Sequence, residues 1–357
     1  MALYCGIDLH STNCWMTVID EDRKVVRETK VGNDLEAALR VLEPYRSELQ
    51  GVVVESTFNW YWLVDGLMEA EYKLHLANTW AVKQYEGLKY TDDRHDARWL
   101  AHLLSLGILP EGCIYPKEDR AVRDLLRRRA FLVRKRTSLL LSMRGAFECR
   151  TGLRVNANDL KAWTPEDIEP HIADETALLG ITCLLDPVAA LNRQIRLLER
   201  EAWKKAKVRP ELGQLKTVWG IGKILGLTIL YEVGEIDRFP KVGNFASYCR
   251  CVKSDRLSNG KRKGSGNTKN GNPYLSWAFS EAAHFAVCHH KEARKFVQRK
   301  KAKTNGIIAI RALAHELARA SYHVMKDRVA FDPGRAFAWI CGTGAGARIG
   351  AWSNHRA

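Results

Sequence analysis

The stretch LYCGIDLHSTNCWMTVIDEDRKVVRETKV, from Leu3 to Val31, decides how the chain begins to fold. It contains three runs rich in β-branched and apolar residues, LYCGIDLH, CWMTVID and VVRETKV, with the turn residues EDRK between the second and third. That pattern predicts a meander of three strands. DLEAALRVLEPY follows with helical spacing and Asp34 near its start. GVVVEST, Gly51 to Thr57, is nearly all apolar at its centre, as strands covered on both faces are. YKLHLAN predicts a fifth strand, and DDRHDARWLAHLLSL a helix with Leu and Trp on one face. Strands first antiparallel and then alternating with helices describe a mixed α/β sheet domain over residues 1–118.

Composition narrows the class of partner. The chain has 357 residues and a net charge of +15, from 56 Lys and Arg against 41 Asp and Glu. So basic a balance favours a polyanion, and nucleic acid is the commonest one. No stretch reaches the length of a transmembrane helix, and MALYCGIDLH lacks the blocks of a signal peptide. The expectation is a cytoplasmic protein with no membrane partner. Nine cysteines are scattered without a CxxC pair, which argues against a disulfide framework or zinc site. His289 and His290 read as surface residues.

Beyond the sheet domain the chain reads as helical. Between Arg120 and Arg150, Leu125, Leu132 and Leu139 recur every seven residues, as do Leu126, Val133, Leu140 and Phe147. That is a coiled-coil-like stripe. The opposite face carries Arg123, Arg127, Arg128, Arg134 and Lys135, either a solvated surface or a nucleic-acid contact. TPEDIEPHIADE reads as an irregular acidic linker. A second helix begins at DPVAALNRQIRLLEREAWKKAK, with Asp186 expected as N-cap and Pro187 as first helical residue. The two helices make a coiled-coil arm and linker over residues 119–208, suited to self-association. A mainly helical domain follows over 209–330. In it, Gly220 and Gly222 lie between apolar helical runs. They form either a helix-hairpin-helix that offers backbone N–H groups to a phosphate, or simply a tight turn. The tail, 331–357, reads as flexible, and its GTGAGAR segment lacks the strand and helix a nucleotide loop needs.

Two features carry chemistry. Asp8 ends the first strand, Glu55 ends the apolar fourth, and Asp93 and Asp96 stand three apart at a helix start, on one face. Each has an ordinary structural role open to it: a strand-end polar group, a partner for an Arg, a helix cap. Converging carboxylates, however, repel unless a cation lies among them, and oxygen ligands suit Mg²⁺ or Mn²⁺. The second feature is LSNGKRKGSGNTKNGNPYL, Leu257 to Leu275. By composition it is a basic Gly-rich linker. Read otherwise, it holds out Ser258 as a nucleophile, with Gly260, Gly264 and Gly266 allowing close approach to a phosphate. Lys261, Arg262, Lys263 and Lys269 would then neutralise neighbouring phosphates.

The order strand-end Asp, strand-end Glu, late helical Asp pair resembles the RNase H-like fold of RuvC-type nucleases. GIDLH, VVVEST, TDDRHDAR, WGIGK and FASYCRCVKSDRLSNGKRKG through TKNGNPYL together resemble the transposases of insertion sequence family 110, the bridge-RNA-guided recombinases. The likeness covers nearly the whole chain, in the order RuvC-like domain, coiled-coil arm, helical transposase domain with a Ser. It implies Asp8, Glu55, Asp93 and Asp96 as ligands of Mg²⁺, with Mn²⁺ as substitute. Ser258 is implied as the nucleophile that links covalently to a DNA phosphate. It also implies a non-coding bridge RNA, donor and target double-stranded DNA, and a tetramer pairing the acidic site of one subunit with the Ser loop of another. RCVK stands where such proteins often carry Gly and Pro, and Trp219 where Pro is common. Two other readings stay open: a hydrolytic RuvC-like nuclease such as a Holliday junction resolvase, and a nucleic-acid-binding protein without catalysis.

Overall fold

The computed structural model describes residues 1–82, 92–206, 209–252, 255–265 and 270–337. It divides into two compact units, Met1–Lys117 and Glu118–Ala357.

In the first unit the strands are β1 (Leu3–Leu9), β2 (Asn13–Ile19), β3 (Val25–Gly32), β4 (Leu49–Glu55) and β5 (Leu74–Ala77). They form one sheet in the order β3-β2-β1-β4-β5. The first three pair antiparallel, and β4 and β5 join parallel to β1. The meander and the two apolar strands thus make the mixed sheet expected. The helices are α1 (Leu35–Leu42), α2 (Tyr61–Glu69), α3 (Thr79–Val82) and α4 (Asp93–Ser105). α1 begins where Asp34 accepts a hydrogen bond from the Ala37 N–H. α2 was not anticipated.

Both faces of the sheet are covered, which is why β1 and β4 are apolar at nearly every position. Cys5, Ile7, Leu9, Val52 and Val54 pack on one side with Leu42, Leu63 and Leu67 of α1 and α2. Val53 packs on the other side with Leu100 and Leu103 of α4. Gly6, which pairs with Val53, lies on that second face. A Cβ there would overlap the Ala97 carbonyl oxygen, so α4 lies directly on β1 at a position only glycine permits.

The second unit begins with α5, the 35-residue helix Lys117–Thr151. α6 (Glu175–Thr182) and α7 (Leu185–Lys205) return alongside it, followed by α8 (Pro210–Leu215), α9 (Lys223–Val233) and α10 (Val242–Tyr248). A two-stranded hairpin, β6 (Asp255–Ser258) and β7 (Lys261–Ser265), precedes α11 (Pro273–His289), α12 (Lys291–Lys303), α13 (Gly306–Lys326) and α14 (Pro333–Phe337). Val122, Leu126 and Ala202 join α9, α11 and α13 in one core. The root of the helical pair is therefore part of the same packed body as the later helices. Farther along, Leu140 and Met143 pack with Val188, and Phe147 packs with Ile181.

Several expectations are corrected. TPEDIEPHIADE is folded: Pro165–Asp167 and Glu169–His171 are 3₁₀ turns. Ile168 and Ile172 between and after them are buried against Phe147 and Ile181. α7 starts at Leu185 with no side-chain cap, so Asp186 sits inside the first turn, where its charge still meets the helix dipole. The segment Glu175–Lys205 is long and apolar enough to cross a membrane by length and composition, contrary to the reading above. It is interrupted at Cys183 and Leu184, and its buried residues Ile181 and Val188 pack with Phe147, Leu140 and Met143 of α5. His290 is not a plain surface residue: its ring stacks on Trp219 at 4.7 Å. The expected flexible tail starts as folded chain, since Phe331 meets the Trp219 ring edge-on and its N–H donates to Thr217 Oγ1. Its residues 338–357, with GTGAGAR, lie outside the described residues.

Candidate active site

Asp8 follows Gly6 by two residues, so it too lies on the α4 face of the sheet. It is buried, with 3% of its surface exposed. Asp92 caps α4, accepting from the His95 N–H at 2.8 Å, which frees Asp93 from that duty. His10 Nε2 lies 3.0 Å from Asp8 Oδ2 and 3.3 Å from Asp93 Oδ2. One ligand atom from each of the three residues falls within 4.8 Å of the others. Asp93 is half-exposed, so the cluster opens to solvent on the helix side.

Glu55 ends β4 next to Asp8. Val54 pairs with Ile7 and Val53 with Gly6, which puts Glu55 on the α4 face one register step on. Asp96 is exposed, one helical turn beyond Asp93. Among the described residues the close cluster is Asp8, His10 and Asp93, with Glu55 and Asp96 outside it. A nearly buried carboxylate facing a second one at a helix start suits a hard divalent cation, which would relieve their repulsion. The reach of the Asp8 charge is visible at Cys14, whose thiol is pushed up to about 11 by burial and then by that carboxylate. Cys14 thus stays a thiol at neutral pH and is no competing ligand.

The N-terminal part of α4 is also fastened from the sheet side. The Arg94 guanidinium lies 4.7 Å from the centroid of the Trp15 ring, and Arg98 donates to Glu28 Oε1 at 3.0 Å. Trp15 is the register partner of Asp8. These contacts hold Asp93 beside the sheet end.

His10 was not singled out from sequence. Its signal was the Asp-x-His spacing at the end of a strand, where the chain turns and returns the side chain toward its neighbour two residues back.

Ser258 lies in the second unit, at the tip of the β6–β7 hairpin. The Gly-rich stretch expected as a loop is in part this hairpin. Asn259 and Gly260, with φ of 49° and 72°, form its two-residue turn, and Ser258 pairs with Lys261 across it. Positive φ at both central positions is what an Asn-Gly turn of this kind requires. Ser258, Lys261 and Lys263 are exposed. Arg262 is in β7, and Lys269, with Gly266, lies outside the described residues.

The feet of the hairpin are tied together. Asn272 N–H donates to Tyr248 O at 2.6 Å, Arg250 Nε to Gly271 O at 3.1 Å, and Arg311 to Arg250 O at 3.0 Å. Asn272 also caps α11, accepting from the Tyr274 and Leu275 N–H groups. Its amide donates to Glu232 Oε2 at 2.7 Å.

The same Glu232 corrects one candidate nucleic-acid contact. Arg127 donates from Nε and a terminal nitrogen to its two carboxylate oxygens at 2.6 and 2.7 Å, and lies over the Tyr274 ring. Its charge is engaged by a buried partner on α9. Arg123 is buried as well, so it does not belong to a solvated face. Arg128, Arg134 and Lys135 are exposed, and Arg128 and Lys135 flank the exposed ring of Phe131. Arg127→Ala should destabilise the fold by about 3–5 kcal/mol, because it takes the charge partner from a buried carboxylate and leaves it the Asn272 amide. Arg128→Ala should cost less than about 0.5 kcal/mol, as surface changes do. Urea unfolding of the two variants tests the contrast.

Gly220 has φ of +76°, and a Cβ on it would overlap the Ala282 carbonyl oxygen of α11. Its glycine is required by packing, which is the tight-turn reading. Gly222 is exposed and is the N-cap of α9. α12 went unnoticed in the sequence. Lys291, Lys295, Arg299, Lys300, Lys301 and Lys303 are exposed on it, and among the described residues none forms an ion pair. Its one acid is Glu292. KEARKFVQRKKAK was the available signal.

Known proteins match both units. A family model for DEDD proteins of the IS110 type, described as "Transposase", matches residues 5–148. A second, "Transposase IS116/IS110/IS902 family", matches residues 213–298. The "Probable family 20 transposase" of Pseudomonas aeruginosa is 27% identical over 289 residues, covering 77% of this chain and 83% of that protein. The "Transposase for insertion sequence element IS1111A" of Coxiella burnetii is 24% identical over 206 residues, 56% of each chain. An acidic cluster on a mixed sheet, followed by the helical unit these models cover, defines a transposase, an enzyme that cuts and transfers DNA strands. The chain belongs to the IS110 family of transposases.

Proposed function

We propose that the protein is an RNA-guided DNA recombinase that exchanges donor and target strands through a covalent phosphoserine at Ser258. Residues 1–118 form its RNase H-like, RuvC-like domain, 119–208 its coiled-coil arm and 209–330 its transposase domain. The observation that carries the reading is the buried Asp8 carboxylate facing Asp93 across the face where β4 delivers Glu55. Asp8, Glu55, Asp93 and Asp96 would hold Mg²⁺ or Mn²⁺. A bound ion of this kind polarises the scissile phosphate and offsets the charge that grows on it.

Ser258 does the covalent work. Its Oγ forms a bond to phosphorus, the bond from phosphorus to one deoxyribose oxygen breaks, and the serine proton ends on that displaced oxygen. The phosphodiester count is unchanged, so the reverse attack by a new strand end rejoins DNA without ATP. The hairpin supports this role by exposing Ser258 on a fixed two-residue turn, with tied feet below it and Lys261 and Lys263 exposed beside it. Lys261, Arg262 and Lys263 would meet the flanking phosphates. The exposed cations of α12, with the exposed Arg134 and with Arg128 and Lys135 around Phe131, supply further surface for nucleic acid.

Ser258 and the carboxylates belong to different compact units. A tetramer in which one subunit's Ser hairpin serves another subunit's acidic site fits that separation. A non-coding bridge RNA would choose donor and target sequences. The test combines the protein with RNA transcribed from the DNA flanking its gene and with two duplexes matching that RNA. Recombinant joints should form only with the RNA present. Equal joint formation without RNA contradicts the guided reading.

A further inference from the structure

We propose that His10 is a nitrogen ligand of the carboxylate metal site and makes that site prefer a first-row transition ion such as Mn²⁺ over Mg²⁺. The inference rests on the reading of Asp8 and Asp93 as metal ligands. Three observations carry it.

First, Nε2 lies 3.0 Å from Asp8 Oδ2 and 3.3 Å from Asp93 Oδ2. With metal–ligand bonds of about 2.1 Å, adjacent donors around one ion stand about 3 Å apart. Second, Nε2 is shielded from solvent and forms no hydrogen bond despite both short distances. An N–H aimed along either line would make one. Neither carboxylate therefore holds the ring through an N–H, and a nitrogen this close to both oxygens is placed to share an ion with them.

Third, the backbone of His10 is held by three hydrogen bonds. Its carbonyl accepts from Asn33 Nδ2 at 3.0 Å and Asn59 Nδ2 at 2.9 Å, and its N–H donates to Asn13 O at 2.9 Å. Asn59 is itself fixed by Thr57 Oγ1 at 3.0 Å. Asn33 follows β3, while Thr57 and Asn59 follow β4, so two separate loops converge on one carbonyl. Such support is what a preorganised ligand needs.

The chemistry sets the direction of the preference. Mg²⁺ favours oxygen donors and keeps its waters, whereas imidazole suits transition ions. An all-oxygen site would discriminate little. With His10 in the ligand set, exchange of Mg²⁺ for Mn²⁺ gains a bond that Mg²⁺ makes poorly.

The experiment is pulsed electron paramagnetic resonance of the full chain loaded with Mn²⁺, with calorimetric titration of Mn²⁺ and Mg²⁺. Wild type should show ¹⁴N coupling from one imidazole. His10→Ala should lose it, weaken Mn²⁺ binding about tenfold or more, and leave Mg²⁺ binding within a few-fold. Absence of ¹⁴N coupling in wild type, or its persistence in His10→Ala, overturns the inference. The wild-type spectrum needs no variant and stands even if His10→Ala folds poorly. Asp8→Asn separates the two levels. If it abolishes Mn²⁺ binding while His10→Ala changes nothing, only the His10 inference falls. If Mn²⁺ binds equally well to Asp8→Asn, the carboxylate metal site itself is wrong, and the inference falls with it.

Discussion

Ser258→Ala should reduce strand exchange to background, a loss on the order of 10⁶-fold as for removal of a serine nucleophile in other enzymes. Binding of RNA and duplex DNA should be unchanged, because the substitution removes one exposed hydroxyl and no charge. Folding should be unaffected too. Ser258 contributes backbone pairing to the hairpin, and the turn conformation resides in Asn259 and Gly260. Ser258→Cys retains a nucleophile and is the informative companion. Residual adduct formation there, with none in Ser258→Ala, would tie the chemistry to the side chain rather than to the shape of the hairpin. The readout is joint formation on matched DNA, scored beside filter binding of the same preparations.

The second large effect is expected at Asp8. Asp8→Asn keeps the size of the side chain and removes a charge that is buried, 3% exposed, and held between His10 and the start of α4. Divalent-ion-dependent cleavage should fall by about 10²–10³-fold or more, the range for losing one preorganised group that stabilises transition-state charge. Thermal stability without added metal should change little or rise, because the substitution relieves repulsion between Asp8 and Asp93. The gain in melting temperature that Mg²⁺ or Mn²⁺ gives the wild type should vanish, since that gain is the linked free energy of binding. Melting curves with and without ion, set against cleavage rates, measure both effects on one sample.

How much of this was readable beforehand differs by residue. Asp8 and Glu55 stood out because each ends an apolar strand, where a carboxylate is costly without a partner. Asp93 and Asp96 stood out by their three-residue spacing at a helix start. The register that sets Glu55 one step from Asp8 follows from the parallel pairing of β1 with β4, and α4 reaches them because Gly6 lets it. Arg127 misled because a helical pattern says which residues share a face but not what packs on that face. Its partner Glu232 lies 105 residues away on a helix whose buried acid carries no local signal. Likewise the hairpin of Ser258 was hidden by composition. Asn259-Gly260 is a strong turn signal, but the flanks are basic rather than alternately apolar, so the strand pattern was absent. His10 is a third kind of miss. Two residues apart on a strand share a face, and the turn after Leu9 was needed to see that Asp93 would join them.

The central claim is that a DNA phosphate passes through Ser258. Its most direct test is to stop the reaction of the full chain, RNA and matched DNA in denaturant, digest protein and DNA, and identify the adduct by mass spectrometry. The account predicts a nucleotide joined by phosphodiester to the peptide carrying Ser258, at the hydroxyl oxygen. Cleaved DNA whose ends carry no protein at all would contradict it and assign the carboxylates to a hydrolytic nuclease instead.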